Sequence, residues 1–198
     1  MSKHGEFSGE PDTRWLTEPT EPDRRMYLLK EFGFTDPKGK DWRVPAGYDQ
    51  MNGASIPRAL WTLVGSPYTG DYRRASIVHD RACDDARGDK GKRRAADRMF
   101  YHACREGGCS VRQAIILYVG VRIGAALPHV PAWRLAALDN ESGPRLYTTA
   151  DEDRLVNDFR VVAERVLDAG ETDDPLELEA RTTEALAVVT GLDAARLH

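Results

Sequence analysis

The chain has 198 residues, enough for one good core or for a core with an appendage. Its net charge of −4 argues against a general nucleic-acid binder, because neutralising phosphates takes a basic face. The longest apolar run, residues 114–121, is far too short to span a bilayer. With no Sec-type signal peptide and an odd count of three cysteines, we expect a reduced protein that is cytoplasmic as synthesised, and export by a non-Sec route is left open.

The first elements in chain order are an arm and a hairpin. Residues 1–23 are rich in Pro, Glu and Thr and predict a flexible arm. An apolar, aromatic stretch at 26–34, a turn signal at 35–39 and a second stretch at 42–44 predict a β-hairpin.

A loop and six helices follow. Residues 45–58 hold two glycines and two prolines and predict a long structured loop, a kind of segment that is often functional. A short helix is expected next, and apolar residues at helical spacing predict longer helices further on. The expected ranges are 58–64, 71–86, 92–106, 110–124, 151–169 and 175–190.

The predicted organisation has three parts. Residues 24–127 are expected to form the core, in which the helix at 110–124 is apolar almost all round and is predicted to be central and buried. Residues 1–23 are the arm, and residues 128–198 are a C-terminal helical extension that either packs on the core or docks a protein partner.

His79 is the first candidate for chemistry. It lies with Cys83 on the apolar stripe of the helix at 71–86, where a histidine is more often a satisfied core residue. Asp97 lies at the edge of the inward face of the next helix. His79 is ten residues before Asp89, the centre of the connection, and Asp97 is eight residues after it. In an antiparallel pair these positions are level to within about 3 Å. A carboxylate facing an imidazole fixes its tautomer and raises its basicity, so the spacing predicts a catalytic dyad with His79 as base and Asp97 as partner.

Asp80 and a glycine loop are candidates for a metal site. Asp80 points about 100° away from His79 round the helix, so the two cannot serve one partner. Asn52 offers a side-chain oxygen and Gly53 a backbone carbonyl, and hard oxygen ligands suit Ca²⁺. The competing interpretation is that Asn52-Gly53 only makes a turn.

Other candidates are weaker. The spacing of Cys83, Cys104 and Cys109 matches no zinc site, and these residues are expected to be core thiols. A Cys83–His79 nucleophile is disfavoured, because stacked positions on one helix give poor attack geometry. His102 is expected to face solvent. The basic face of the helix at 92–106 is expected to be a solvated surface, with contact to anionic head groups as the alternative. It consists of Arg93, Arg94 and Arg98.

Several motifs occur together in a familiar order. They are Val44–Gly47, Asn52–Arg58, Trp61, Gly65, Tyr72, Ala75, His79-Asp80 and Ala96–Tyr101. This set resembles domain-of-unknown-function family 1353 of bacteria and phages, over about residues 26–124. The family label implies no activity, although its members often occur among phage tail and lysis functions.

A more distant resemblance implies an activity. The order of a glycine loop, a His-Asp pair on one helix and an Asp with aromatic residues on the next is similar to prokaryotic secreted phospholipase A2. That likeness implies a mainly α fold, with a three-helix phospholipase A2-like core behind an N-terminal β-hairpin. It implies His79 as the base, Asp97 as its partner, and Asn52, Gly53 and Asp80 as a Ca²⁺ site. Asn52 stands where the family has Asp, so calcium binding is expected to be weak or absent.

The expected function is therefore Ca²⁺-dependent hydrolysis of phospholipid or related esters at a membrane surface, by a phage-like lysis factor or secreted effector. The alternative is a non-enzymatic phage tail or injection-system component with the same fold. A peptidoglycan-directed hydrolase is a further alternative. A His-Asp metal phosphohydrolase is disfavoured, because no histidine lies between His4 and His79.

Overall fold

The computed structural model describes residues 2–16, 26–51, 53–54, 56–66, 70–126, 149–191 and 193. This part of the chain is about 56% helical and carries small antiparallel sheets, which confirms the mainly α prediction. Within it, no helix has both the length and the apolar character that crossing a membrane takes.

Five short strands build two sheets. Strands β1, β4 and β5 form one sheet in the order β1-β4-β5, and β2 pairs with β3 in the other. The strands are β1 (Glu6–Phe7), β2 (Thr13–Trp15), β3 (Met26–Leu28), β4 (Phe32–Thr35) and β5 (Asp41–Val44).

The predicted hairpin is formed by β4 and β5, which pair antiparallel from Phe32 opposite Val44 to Thr35 opposite Asp41. Its turn is held by the Asp36 carboxylate, which accepts from two backbone N–H groups of the turn. The first strand begins later than predicted. Leu28 donates to Tyr48 and Leu29 donates to Asp12, so the backbone of 26–29 is used in other pairings.

The predicted flexible arm contains ordered strands. Glu6 and Phe7 pair with β4, and Thr13–Trp15 pairs with β3, so the prediction is wrong at these residues. Phe7 explains the first pairing, because its ring stacks on Phe32 with centroids 5.7 Å apart and lies 5.0 Å from the Phe34 ring. Residues 17–23 lie outside the described part of the chain.

The helices fall close to their predicted ranges. A 3₁₀ turn at Arg58–Leu60 leads into the short α1, where one short helix was predicted. Longer helices follow, in the described part, at all the predicted places. With α1 (Trp61–Val64), the helices of the described part are α2 (Arg73–Asp85), α3 (Lys90–Glu106), α4 (Val111–Ala126), α5 (Thr149–Asp168) and α6 (Pro175–Thr190).

Side-chain caps and glycines set the ends of α3. Asp89 is the N-cap, and its carboxylate accepts from the Lys92 N–H at 2.9 Å. The helix ends at Gly107, where a Cβ would clash with the backbone carbonyl oxygen of Asp71, just before α2. Glycine is therefore required here, and the close approach fixes the end of α3 against the start of α2.

The chain divides into two compact units that differ from the predicted division. One comprises residues 1–55 and 66–109, and the other residues 56–65 and 110–198. Helix α4, predicted to complete a core with α2 and α3, belongs to the second unit and packs on α5 and α6 there. The reason is that α4 is buried on all sides, and α5 offers it an apolar stripe of the right spacing. That stripe is Leu155, Phe159, Val162 and Val166.

In the first unit, α2 packs against α3 and against strands β4 and β5. The apolar stripe predicted for the first helix is buried except at Cys83, which is half-buried, and the predicted inward face of the second helix is buried throughout. The buried residues are Ala75, Val78, His79 and Ala82 on α2 with Ala86 at its C-cap, and Ala96, Met99, Phe100, Ala103 and Cys104 on α3.

Candidate functional site

His79 and Asp97 meet in the interior of the first unit. His79 Nε2 lies 2.8 Å from Asp97 Oδ1, and both side chains are 0% exposed. The short connection at residues 86–89 places consecutive helices side by side, so residues at similar distances from it lie at the same level. The expected pairing is therefore present in the structure, and its catalytic role stays a prediction.

Arg93 extends the His79–Asp97 pair to three residues, and the sequence analysis did not foresee it. Its Nε donates to the same Asp97 Oδ1 at 3.1 Å, and its side chain is only 16% exposed. The expectation of a solvated basic face or a head-group contact is therefore wrong for Arg93. The i,i+4 spacing of Arg93 and Asp97 on one helix was the signal that could have revealed the ion pair.

The electrostatics of the site favour a neutral imidazole. Burial lowers the pKa of His79 below its ordinary value, while the hydrogen bond and charge of Asp97 oppose this, and Arg93 lowers it further. Burial is the largest single influence on Arg93 and works against its charged form, but the charges of Asp97, Cys83 and Asp80 and the hydrogen bond to Asp97 together outweigh it, so the pKa of Arg93 is raised. Asp97 Oδ1 accepts from Arg93 Nε, and with Asp97 as the acceptor Nε2 is assigned as the imidazole nitrogen that carries the hydrogen.

Cys83 lies beside the imidazole. Its Sγ is 3.6 Å from Nδ1 and 3.5 Å from Nε2 of His79, and the residue is half-buried. Being equally far from both nitrogens, the sulfur lies off the lone-pair axis of each, which is poor geometry for proton transfer. Cys104 and Cys109 are buried, as expected of core thiols.

Asp80 ties the glycine loop to α2. The Gly53 N–H donates to Asp80 Oδ2 at 3.1 Å, and Asp80 is buried. Gly53 and Ala54 both have positive φ, at 104° and 62°, a conformation that is rare for a residue with a side chain. The Ala54 backbone in turn is hydrogen-bonded to His79 and favours its protonated form. Asp80 therefore positions a strained loop against the base.

The described residues do not make up a calcium site by themselves. Ca²⁺ takes six to eight oxygen ligands, whereas the loop group that is hydrogen-bonded to Asp80 Oδ2 is the N–H of Gly53. Among the described residues, the cluster of His, Cys, Asp or Glu groups close enough to hold a metal is His79, Cys83 and Asp97, which leaves Asp80 out. Asn52 lies outside the described part of the chain, so the Ca²⁺ site stays a prediction.

Two further contacts were not foreseen. Tyr48, in the same loop, donates its hydroxyl to Asp84 of α2 at 2.8 Å, and burial with the charge of Asp80 raises the pKa of Tyr48. His102 does not simply face solvent as expected, because its Nδ1 lies 3.3 Å from Nδ1 of the buried His4. The first contact gives the loop a second attachment to α2.

The fold and the site together define a class: a mainly helical protein with a buried imidazole–carboxylate pair between consecutive helices, next to an anchored glycine loop. Residues 26–121 match the model of the family described as "Protein of unknown function (DUF1353)", and this segment of the chain belongs to that family. The family prediction from the motifs is confirmed.

Two relatives come from Sinorhizobium fredii (strain NBRC 101917 / NGR234). "Uncharacterized protein y4jT" is 31% identical over 170 residues, which is 77% of this chain and 47% of the relative. "Uncharacterized protein y4iH" is 34% identical over 100 residues, which is 50% of this chain and 40% of the relative. The chain thus spans less than half the length of either relative. No solved structure matches the chain.

Proposed function

We propose that the chain is an ester hydrolase in which His79 is the general base and Asp97 its orienting partner, with a phospholipid or related lipid ester as substrate. The observation that carries the proposal is the 2.8 Å contact between His79 Nε2 and Asp97 Oδ1. A carboxylate fixed on one imidazole nitrogen orients the ring, and the other nitrogen can take a proton from water once the backbone contact between Ala54 and His79 opens.

The chemistry follows from the two nitrogens. His79 Nδ1 takes a proton from a water molecule, whose oxygen forms a bond to the ester carbonyl carbon. The ester C–O bond then breaks, and the proton on Nδ1 passes to the leaving alkoxide. Asp97 stabilises the transient imidazolium, and Arg93 keeps Asp97 ionised. Because burial lowers the pKa of His79, the base is neutral and ready at pH 7.

The lipid part of the proposal rests on the resemblance to phospholipase A2. The order of the loop at 51–55, the His79-Asp80 pair and Asp97 supports it, and so does the attachment of Gly53 to Asp80. No step is routed through calcium. A role as a phage-like lysis factor or secreted effector would bring the enzyme to a membrane surface.

A second candidate function is a non-enzymatic component of a phage tail or injection system. The observation that favours it is that both side chains of the dyad are 0% exposed. A substrate would have to displace the groups that cover His79. In this candidate the Arg93–Asp97–His79 contacts serve only to hold α2 against α3.

The test is fatty-acid release from mixed phospholipid vesicles, with calcium and with EDTA, for wild type and His79→Gln. His102→Gln is the matched control, because it removes a partly buried imidazole from the first unit without touching the dyad. We expect release by wild type and the control, and its loss in His79→Gln with the melting temperature close to that of wild type. A folded wild type that releases nothing under any condition would overturn the hydrolase and favour the assembly component.

A further inference from the structure

Three potential metal-ligating atoms of different chemistry lie close together, and one of them belongs to the imidazole of His79. Ligand atoms of His79, Cys83 and Asp97 all lie within 4.8 Å of one another, and Cys83 is the half-buried member of the cluster. His79 and Cys83 are four residues apart on α2, so their side chains share one helix face. Two histidines at the same helical spacing bind one zinc ion in metalloproteases.

We propose that His79 and Cys83 bind a thiophilic divalent cation of the Zn²⁺ class, and that the bound ion switches off the base. The inference rests on the proposed function and adds its regulation. A thiolate with an imidazole selects zinc and similar metals, whereas calcium takes oxygen ligands. The ion would occupy Nδ1, the nitrogen that has to accept the proton from water, and would replace the backbone contact between Ala54 and the ring.

The separation of the two donor atoms matches such an ion, although the present orientation of the sulfur does not. Zinc bonds of about 2.0–2.1 Å to nitrogen and 2.3 Å to sulfur, at a tetrahedral angle, put the two donors about 3.6 Å apart. Nδ1 of His79 and Sγ of Cys83 are 3.6 Å apart. The sulfur lies beside the ring and not on the Nδ1 axis, so binding requires one of the two side chains to turn. Cys83 is partly exposed, which lets water fill the remaining positions.

Asp97 already makes the supporting contact of a metal-bound histidine. Such a histidine nearly always donates its other ring N–H to a carboxylate or carbonyl, which fixes the ring and raises its basicity. His79 Nε2 is bonded to Asp97 Oδ1 in this way, inside the protein. Asp97 is therefore assigned as a positioning residue of the metal site and not as a ligand.

The charge of the surroundings also suits a divalent cation. Asp80 and Asp97 both interact with the Arg93 cation, which leaves one negative charge among these buried groups. Binding converts the Cys83 thiol to a thiolate and releases its proton to solvent, which adds a second negative charge. A bound Zn²⁺ brings this group of charges to zero.

The binding test uses the full chain stripped of metal with EDTA and titrated with Co²⁺, then with Zn²⁺. We expect a thiolate-to-cobalt charge-transfer band that zinc abolishes. Cys83→Ser should remove the band, whereas Cys109→Ser, a change at a buried thiol outside the cluster, should keep it. Asp97→Asn should weaken binding about 10- to 100-fold. No band in the folded wild type, or an equal band in Cys83→Ser, would overturn the site.

The same variants separate this proposal from the hydrolase. Zinc should stop His79-dependent fatty-acid release by wild type. In Cys83→Ser, the rate with zinc should equal that variant's own rate without zinc. Metal binding through Cys83 with no release under any condition would overturn the hydrolase and the regulatory role while leaving the metal site established. Release that zinc leaves unchanged would overturn the regulation alone.

Discussion

Replacing Asp97 with alanine tests the buried cluster most directly. The Asp97 carboxylate accepts from His79 at 2.8 Å and from Arg93 at 3.1 Å. Removing one partner of a buried ion pair costs about 3–5 kcal/mol, because it leaves a buried charge uncompensated. Arg93 is 16% exposed and regains some water, so the lower part of this range applies. We expect Asp97→Ala to lower the free energy of unfolding by about 3–4 kcal/mol.

Urea unfolding at pH 7 measures this loss, with Asp85→Ala as the matched control. Asp85 is a carboxylate on α2 whose ion pair with Arg81 lies on the surface, with side chains 57% and 34% exposed. An exposed i,i+4 pair is worth about 0.3–0.5 kcal/mol, so the control should change little. The double variant with Arg93→Met should lose less than the sum of the single losses, because the two residues share one contact.

A loss in Asp97→Ala no larger than that of Asp85→Ala would refute the reasoning. It would mean that the carboxylate is not needed to balance the donors around it. The pairing seen between α2 and α3 would then contribute nothing to their packing, and the dyad would lose its structural basis.

Three further predictions concern the same unit. Because burial lowers the pKa of His79 below about 6.5, the folded state binds fewer protons there. The unfolding free energy should then fall as the pH drops below about 6.5, by up to about 1.4 kcal/mol per unit, and a pH series of urea melts should show this component missing in His79→Gln. Asp80→Asn keeps an oxygen for the Gly53 N–H and should stay within about 1 kcal/mol of wild type, whereas Asp80→Ala should lose about 1–3 kcal/mol. If Asp80 served mainly as a calcium ligand, Asn would instead abolish any stabilisation by calcium in thermal melts. Gly107→Ala should lose at least about 1–3 kcal/mol in thermal unfolding, because its Cβ meets the Asp71 carbonyl.

The site was predictable where local geometry decides. The positions of His79 and Asp97 follow from helical rise and a short connection, and both are properties of neighbouring residues. The C-terminal end of α3 at Gly107 was predictable in the same way, whereas the helix starts at Lys90, two residues earlier than predicted, because Asp89 caps it.

The rest depends on partners far away in sequence. The residues around Glu6–Phe7 do not predict its pairing with β4, because the pairing depends on aromatic contacts distant in sequence, such as Phe7 on Phe32. The apolar surface of α4 predicts burial but not against which helices, so its packing on α5 and α6 could be given only as one of two alternatives for the C-terminal helices. Arg93 was misjudged because a basic residue on a helix face usually stays in water.

Burial of His79 bears on both proposed functions, because one of its consequences favours catalysis and the other opposes it. It lowers the pKa of His79 and so supplies a neutral base at pH 7, yet it leaves that side chain 0% exposed. Cys83 touches the ring and is partly exposed, and it is also the residue proposed to bind zinc. A rotation of the Cys83 side chain that admits water to the imidazole would allow hydrolysis. A rotation that brings the sulfur to a zinc ion on Nδ1 would block the base.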